Sequence, residues 1–234
     1  MTVGALTPIT THGRRVLLAV AAASECRAVL IGLGGRPTSV PALWTTTQVG
    51  PWDILLTGIS KSNAAAATAL ALDPKIHSAV LSIGVAGAYP PRGATLMGST
   101  VAGTRSVLAD EGVITPGGFL DCPAIGFPVF GGSADAAVSD PGLLEALTPL
   151  VDATGPIATV SACSGTDELA DILSGRTGAI AECMEGAAVG LVAARRNVAF
   201  IELRAISNTT GDRDRQTWDM RAALGRLSDL ASGL

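Results

Sequence analysis

Histidine and cysteine are scarce in this chain, with two and four among 234 residues. The cysteines (Cys26, Cys122, Cys163 and Cys183) stand far apart and form no CxxC pair. With only His12 and His77 to join them, the composition argues against a zinc site. It also points to a reduced, cytoplasmic protein rather than a disulfide-stapled secreted one. No cluster of Lys or Arg interrupts a chain whose formal charge is −4, so a nucleic-acid partner, which requires a basic footprint, is not expected. No apolar run approaches the roughly 20 residues that a membrane span requires, so no membrane partner is expected either. Aromatic residues make up 3% of the chain and charged residues 15%. The bulk of the sequence is aliphatic and small. Such a composition fits a sheet buried on both faces, whose strands read as near-continuous apolar runs. The length suits one sizeable α/β domain that buries roughly 70% of its unfolded surface.

Arg14-Arg15 followed by Val16 to Ala23 imitates a short signal peptide, with a charged and then an apolar region. The alternative is a disordered start over residues 1–13 and then a first buried strand. The strand reading is preferred because Glu25 and the residues after it continue a pattern that recurs along the chain. A single domain over residues 14–234 is therefore expected.

Apolar runs alternate with helical stretches. Strands are expected at Val16–Ala21, Asp53–Ile59, Ala79–Gly84, Leu96–Ala102, Ile157–Ala162, Ala179–Glu182 and Val198–Ile206. Ser24 is placed to cap a helix reaching about Ile31, and Ser60 or Ser62 to cap the Ala-rich helix Lys61–Leu72. Asp140-Pro141 opens a helix in the cap-then-N1 arrangement. Ser164-Gly165-Thr166-Asp167 opens another with capping-box spacing. Helices are also expected at Met184–Arg196 and from Trp218 to Leu230. The stretch from Asp110 to Ala134, rich in Gly, Pro and Phe, reads as a long loop, a length usually reserved for function or mobility. The alternation predicts one mixed or mostly parallel sheet sandwiched by helices, a three-layer α/β architecture.

Two nucleotide-loop patterns come close and fail. Gly58-Ile59-Ser60-Lys61-Ser62 has a Lys-Ser pair, but Ser60 and Leu55 stand where a P-loop needs glycine. Gly84-Val85-Ala86-Gly87 follows a strand yet is not GxGxxG, and Ala88-Tyr89-Pro90-Pro91 cannot continue as a dinucleotide-binding helix. There survives a glycine turn at the carboxyl end of a strand, where ligands of open α/β sheets bind. Plain packing explains it equally well. Near the C-terminus, Glu185 falls at a strand-to-helix junction, where it could merely favour the helix dipole. Glu202-Leu203-Arg204-Ala205-Ile206-Ser207-Asn208 ends a buried strand in polar groups, with a routine cap as the alternative to a site.

Met184-Glu185-Gly186 followed by Arg204-Ala205-Ile206-Ser207-Asn208 resembles the paired signature of the purine and uridine phosphorylase superfamily. The nearest branches of that superfamily include the methylthioadenosine/adenosylhomocysteine nucleosidases. Gly58 to Ala65, Ile83 to Tyr89, and Ile206 through Arg213-Asp214-Arg215 to Asp219 are most similar to a hydrolytic branch serving an alternative route to menaquinone. The nucleoside cleaved by that branch carries a carboxylate. The resemblance runs from about Val16 to Leu230 and implies a nucleoside phosphorylase-like fold, a small-molecule purine nucleoside as partner, a dimer-based homo-oligomer, and neither metal nor organic cofactor.

It also implies roles. Glu25 matches the carboxylate that activates the attacking water, Glu185 the one that holds the ribose hydroxyls, and Asn208 the residue that addresses N7 of the purine. Met184 would pack on the sugar, with Val85, Ala86, Gly87 and Ser207 lining the pocket. Arg204 and the group Arg213, Asp214 and Arg215 become candidates for gripping an anionic substrate end, against the plain reading of Arg213 and Arg215 as a solvated loop. No residue matches the aromatic that stacks on the base, because Ser161-Ala162-Cys163-Ser164 stands there. The residue types suit glycosidic cleavage through an oxocarbenium-like transition state. Two readings compete with hydrolysis: phosphorolysis, and a non-catalytic ligand-binding relative. The first is disfavoured because Ala19 to Cys26 holds no Gly, Lys or Arg for phosphate. The second is disfavoured by the joint presence of Glu25, Glu185 and Asn208.

Overall fold

The structure, a computed structural model, describes residues 14–131 and 135–234. The expected disordered start, residues 1–13, lies outside the described residues. The first strand, β1 (Arg15–Val20), is buried on both faces, as its unbroken apolar run implies. Val16, Leu18 and Val20 point into one core, with α1 (Ala23–Gly32), α4 (Pro141–Leu147) and α7 (Met220–Ser232). Leu17 and Ala19 point into the other, against α2 (Lys61–Ala71) and α6 (Gly186–Arg196). This two-residue alternation makes β1 the middle of a three-layer sandwich.

Parallel pairing joins β1 to β3 (Trp52–Leu56) on one side and to β4 (His77–Ala88) on the other. β4 in turn runs parallel to β11 (Ala199–Thr209). Beyond β11 the sheet turns antiparallel to β5 (Thr100–Leu108) and then continues in parallel through β9 (Ala153–Thr159) to β10 (Ala181–Cys183). β10 also pairs antiparallel with the far end of β4, so β4, β11, β5, β9 and β10 close a ring. β2 (Thr46–Val49) and β8 (Ala136–Val138) complete the sheet by pairing antiparallel with β3 and β5. The mixed central sheet flanked by helices is the architecture expected.

Several boundaries differ for physical reasons. Gly84–Gly87 is not a turn: β4 runs unbroken through it, paired to β11. A Cβ on Gly84 would stand 2.7 Å from both Arg204 Nη1 and Glu25 Oε1, so this glycine makes room for neighbouring side chains and does not bend the chain. Ser24 does not cap α1, whose N-cap is Ala22; Glu25 accepts from the Ala22 N–H instead. Ser60, Asp140 and Thr166 do cap their helices. Within the supposed long loop, β6 (Gly112–Thr115) and β7 (Gly118–Asp121) form a hairpin about Pro116-Gly117. Leu96 ends the short helix α3 (Gly93–Leu96), and β5 starts only at Thr100. The remaining helix, α5 (Asp167–Thr177), starts two residues later than the Ser164–Asp167 capping-box spacing implies: Thr166 is its N-cap, and Ser164 bonds to Glu182 instead. No helix among the described residues is long and apolar enough to cross a membrane.

Candidate active site

The carboxyl ends of the parallel strands β1, β4 and β11 converge with the β3–α2 and β10–α6 junctions on a cavity of about 290 Å3. Every residue expected to serve the water, the sugar or the base lines it, whereas Arg204, Arg213 and Arg215 do not.

Glu25 sits in the first turn of α1 and is 5% exposed. Its Oε2 accepts from the Ala22 N–H at 2.9 Å and its Oε1 from the Val85 N–H at 2.7 Å. The two backbone donors tie the carboxylate to the end of β1 and to β4, leaving it fixed at the cavity wall. Glu185, at the N-cap of α6, approaches from the other side. Its carboxylate accepts from the Ser60 N–H at 3.2 Å and the Met184 N–H at 3.3 Å, and lies 3.7 Å from Arg204 Nη2. Burial raises the pKa of Glu185, Arg204 opposes that shift, and the negative charge of Glu25 adds to it.

Ser60 presents its N–H to Glu185 from a strained backbone, with φ +102° and ψ 154°. That region is nearly reserved for glycine and costs another residue about 1–3 kcal/mol. Ser60→Gly is expected to raise stability by about 1 kcal/mol, since glycine is also an adequate N-cap. Ser60→Ala keeps the strain and loses the cap to Asn63 N, so it should fall below wild type. Urea denaturation of the three proteins checks the order. A glycine variant no more stable than the alanine one would show that Ser60 is unstrained.

Arg204 stands behind the cavity wall, 1% exposed. Its Nε donates to Glu202 at 2.8 Å, Nη2 to Ser82 Oγ at 3.0 Å, and Nη1 to the Val85 carbonyl at 3.4 Å. With its donors spent inside the protein it cannot grip an anionic substrate end, which corrects the expectation for it. Glu202, fully buried, also accepts from Cys183 Sγ at 3.0 Å and from the Ser106 hydroxyl. Arg215 pairs with Asp167 and Asp212 on the surface. Arg213 lies over the Trp218 ring, 4.7 Å from its centre, and lines a smaller adjoining cavity of about 90 Å3.

Asn208 ends the buried part of β11. Its Oδ1 accepts from Ser207 Oγ and its Nδ2 donates to the Thr209 carbonyl, both at 2.9 Å, which leaves the second amide hydrogen for a ligand. Lys61, whose Lys-Ser pair suggested a phosphate loop, instead pairs with Asp110 and Glu111.

Trp218, Met220 and Glu182 are among the lining residues that sequence reasoning missed. Trp218 is the aromatic among them, and it comes from the segment before α7 rather than from the stretch around Cys163. Met220 and the buried carboxylate of Glu182 line the cavity as well. Trp218 stands inside the Ile206–Asp219 stretch that carries part of the resemblance, but nothing local marks Glu182.

The chain belongs to the phosphorylase superfamily, whose model matches residues 43–234. Within it, the chain is 36% identical over 225 residues to the futalosine hydrolase of Acidothermus cellulolyticus, covering 93% of this chain and 89% of the relative. It is 34% identical over 206 residues to the futalosine hydrolase of Streptomyces coelicolor, covering 86% and 85%. The fold is that of the Neisseria meningitidis 5'-methylthioadenosine/S-adenosylhomocysteine nucleosidase, a structure solved with methylthio-immucillin-A. The two match with a TM-score of 0.73 at 18% identity, over 94% of this chain and 97% of that one.

Proposed function

We propose that this protein hydrolyses the N-glycosidic bond of futalosine and releases hypoxanthine. The observation that carries the reading is the convergence of Glu25, Glu185 and Asn208 on one cavity in a chain so similar to futalosine hydrolases. Glu25 is the general base that takes a proton from the attacking water. Glu185 accepts from the ribose 2′- and 3′-hydroxyls and favours the positive charge that develops on the sugar. Asn208 donates its remaining amide hydrogen to N7 of the departing base. Water is preferred to phosphate as the nucleophile. The N–H groups of Ala22 and Ser60, natural anion donors beside the cavity, are already taken by Glu25 and Glu185.

The test is base release from futalosine, aminodeoxyfutalosine, methylthioadenosine and inosine, with and without phosphate. Hypoxanthine released from futalosine without phosphate is expected. Turnover that requires phosphate and yields a sugar 1-phosphate overturns the reading, as does the absence of base release from any of the four.

Asn208 sets a preference between bases. A 6-oxopurine presents two acceptors, N7 and O6, whereas adenine sets a donor beside N7. Futalosine should therefore exceed its 6-amino analogue in kcat/KM by about tenfold to a hundredfold. Asn208→Asp should shift the ratio toward the amino compound even as total activity falls. A wild-type preference for the amino compound would refute the assignment.

The same proposal places the enzyme in the cytoplasm, in keeping with its four unpaired thiols. It also makes the enzyme a dimer-based homo-oligomer. Leu43, Trp44 and Ile59 are exposed, and Ile59 lines the cavity. Light scattering that shows only monomer at micromolar concentration would disprove the assembly.

A further inference from the structure

Glu182 takes no part in the proposed chemistry, yet it is a carboxylate only 4% exposed on the wall of the same cavity. It stands on β10, where antiparallel pairing sets it opposite Gly87 of β4. On its other side Gly87 is paired with Asn208 of β11. The three residues form a row across three strands, and opposed residues in such a row present their side chains to one face. The middle member has none. A methyl group at Gly87 would stand 2.9 Å from Asn208 Nδ2, so glycine keeps an open floor between the carboxylate and the amide. The small cavity begins on that floor: Gly87, Glu182, Asn208 and Trp218 line both cavities.

The carboxylate is held firmly. Glu182 Oε1 accepts from the Ser164 N–H at 2.7 Å, and Oε2 accepts from Ser164 Oγ at 2.6 Å and from the Tyr89 hydroxyl at 2.7 Å. Burial, together with the charge of Glu182, holds the Tyr89 phenol well above its ordinary pKa, so it stays a donor. Three donors fill three of the roughly four acceptor positions on a carboxylate. One remains.

We infer that Glu182 reads the Watson–Crick edge of a 6-oxopurine, its carboxylate accepting the base N1–H while Asn208 serves the N7 edge across Gly87. The inference rests on the proposed function and deepens it by naming a second specificity residue. A 6-oxopurine carries hydrogen on N1. A 6-aminopurine has a bare acceptor there, which would face the carboxylate with no proton between them. A purely structural role for Glu182, as the anchor of Ser164 and Tyr89, predicts no discrimination at N1.

Calorimetry with hypoxanthine, 1-methylhypoxanthine and adenine tests this without turnover. Wild type should bind hypoxanthine at least about tenfold more tightly than the other two bases. Glu182→Gln, which can turn an NH2 toward N1, should weaken hypoxanthine by about tenfold to a hundredfold and shrink or reverse its advantage over adenine. Equal affinity of wild type for hypoxanthine and its 1-methyl derivative overturns the proposal, as does a ratio unchanged in Glu182→Gln or failure of hypoxanthine to bind at millimolar concentration. Should the variant not fold, the 1-methyl comparison in wild type decides alone. The two readings fail separately. Selective binding without futalosine hydrolysis removes the activity but keeps the role of Glu182, whereas hydrolysis with indifference to N1 methylation does the reverse.

Discussion

Glu25→Gln is expected to lower kcat/KM on futalosine by about 10²–10⁴-fold, mostly through kcat. The amide cannot take a proton from water, so the loss falls on the transition state and leaves binding of the nucleoside largely intact. A second effect accompanies it. Glu25 receives one backbone N–H on each oxygen, and glutamine offers a single acceptor oxygen. Either Ala22 or Val85 loses its partner, at about 1–3 kcal/mol of stability, so activities must be compared at temperatures where both proteins remain folded. Near-native turnover in the variant would remove Glu25 from the mechanism.

The pH profile reports on the partner carboxylate. Burial raises the pKa of Glu185, and in the proposed mechanism the ionised form holds the ribose. The acidic limb of kcat/KM should therefore lie above the ordinary carboxylate range and persist in whatever activity Glu25→Gln retains. The linked stability effect has the opposite sense. A carboxyl whose folded pKa is raised binds its proton more tightly in the fold, so its contribution to stability falls as pH rises through the window between the unfolded and folded values. Acid should thus silence the enzyme through Glu185 without unfolding it through that group.

The order of the elements was legible because β1, β4 and β11 are long apolar runs that only a doubly buried sheet accommodates. Their ends were less so. Glycine at 84 and 87 reads locally as a turn, and what decides otherwise is the arrival of Glu25, Arg204 and Asn208 from elements far away in sequence. In the same way Pro116-Gly117 was visible as punctuation, but pairing Val113 with Leu120 requires knowing that the flanking stretches are strands. Glu25 itself was legible, while its hold on Val85 was not.

The candidate site divides along the same line. Glu185 and Asn208 carry local signatures and line the cavity as expected. Glu182 carries none: its meaning comes from the register that sets it, Gly87 and Asn208 in one row. Arg204 shows the converse error. An arginine near the end of a strand suggested a hand for the substrate, but Glu202 two residues earlier points to the same side of β11, as period-two geometry dictates, and takes its guanidinium. That pair has the largest consequence for stability.

Arg204→Met is expected to cost about 3–5 kcal/mol, because it leaves the Glu202 carboxylate buried without a counter-charge. The remaining donors, Ser106 and Cys183, are neutral and do not replace a guanidinium at 2.8 Å. Replacing both partners, as Glu202→Leu with Arg204→Met, should restore most of the loss, since two apolar side chains of similar volume are often as stable as a buried ion pair. Activity should not return with stability. Arg204 opposes the burial that raises the pKa of Glu185, so its removal lets that pKa climb and moves the acidic limb of kcat/KM further up in pH. Urea denaturation and pH–rate profiles on the three proteins separate the two roles. A single variant as stable as wild type would mean the pair contributes nothing to the fold. A double variant with the wild-type acidic limb would mean Arg204 holds Glu202 in place and leaves Glu185 untouched.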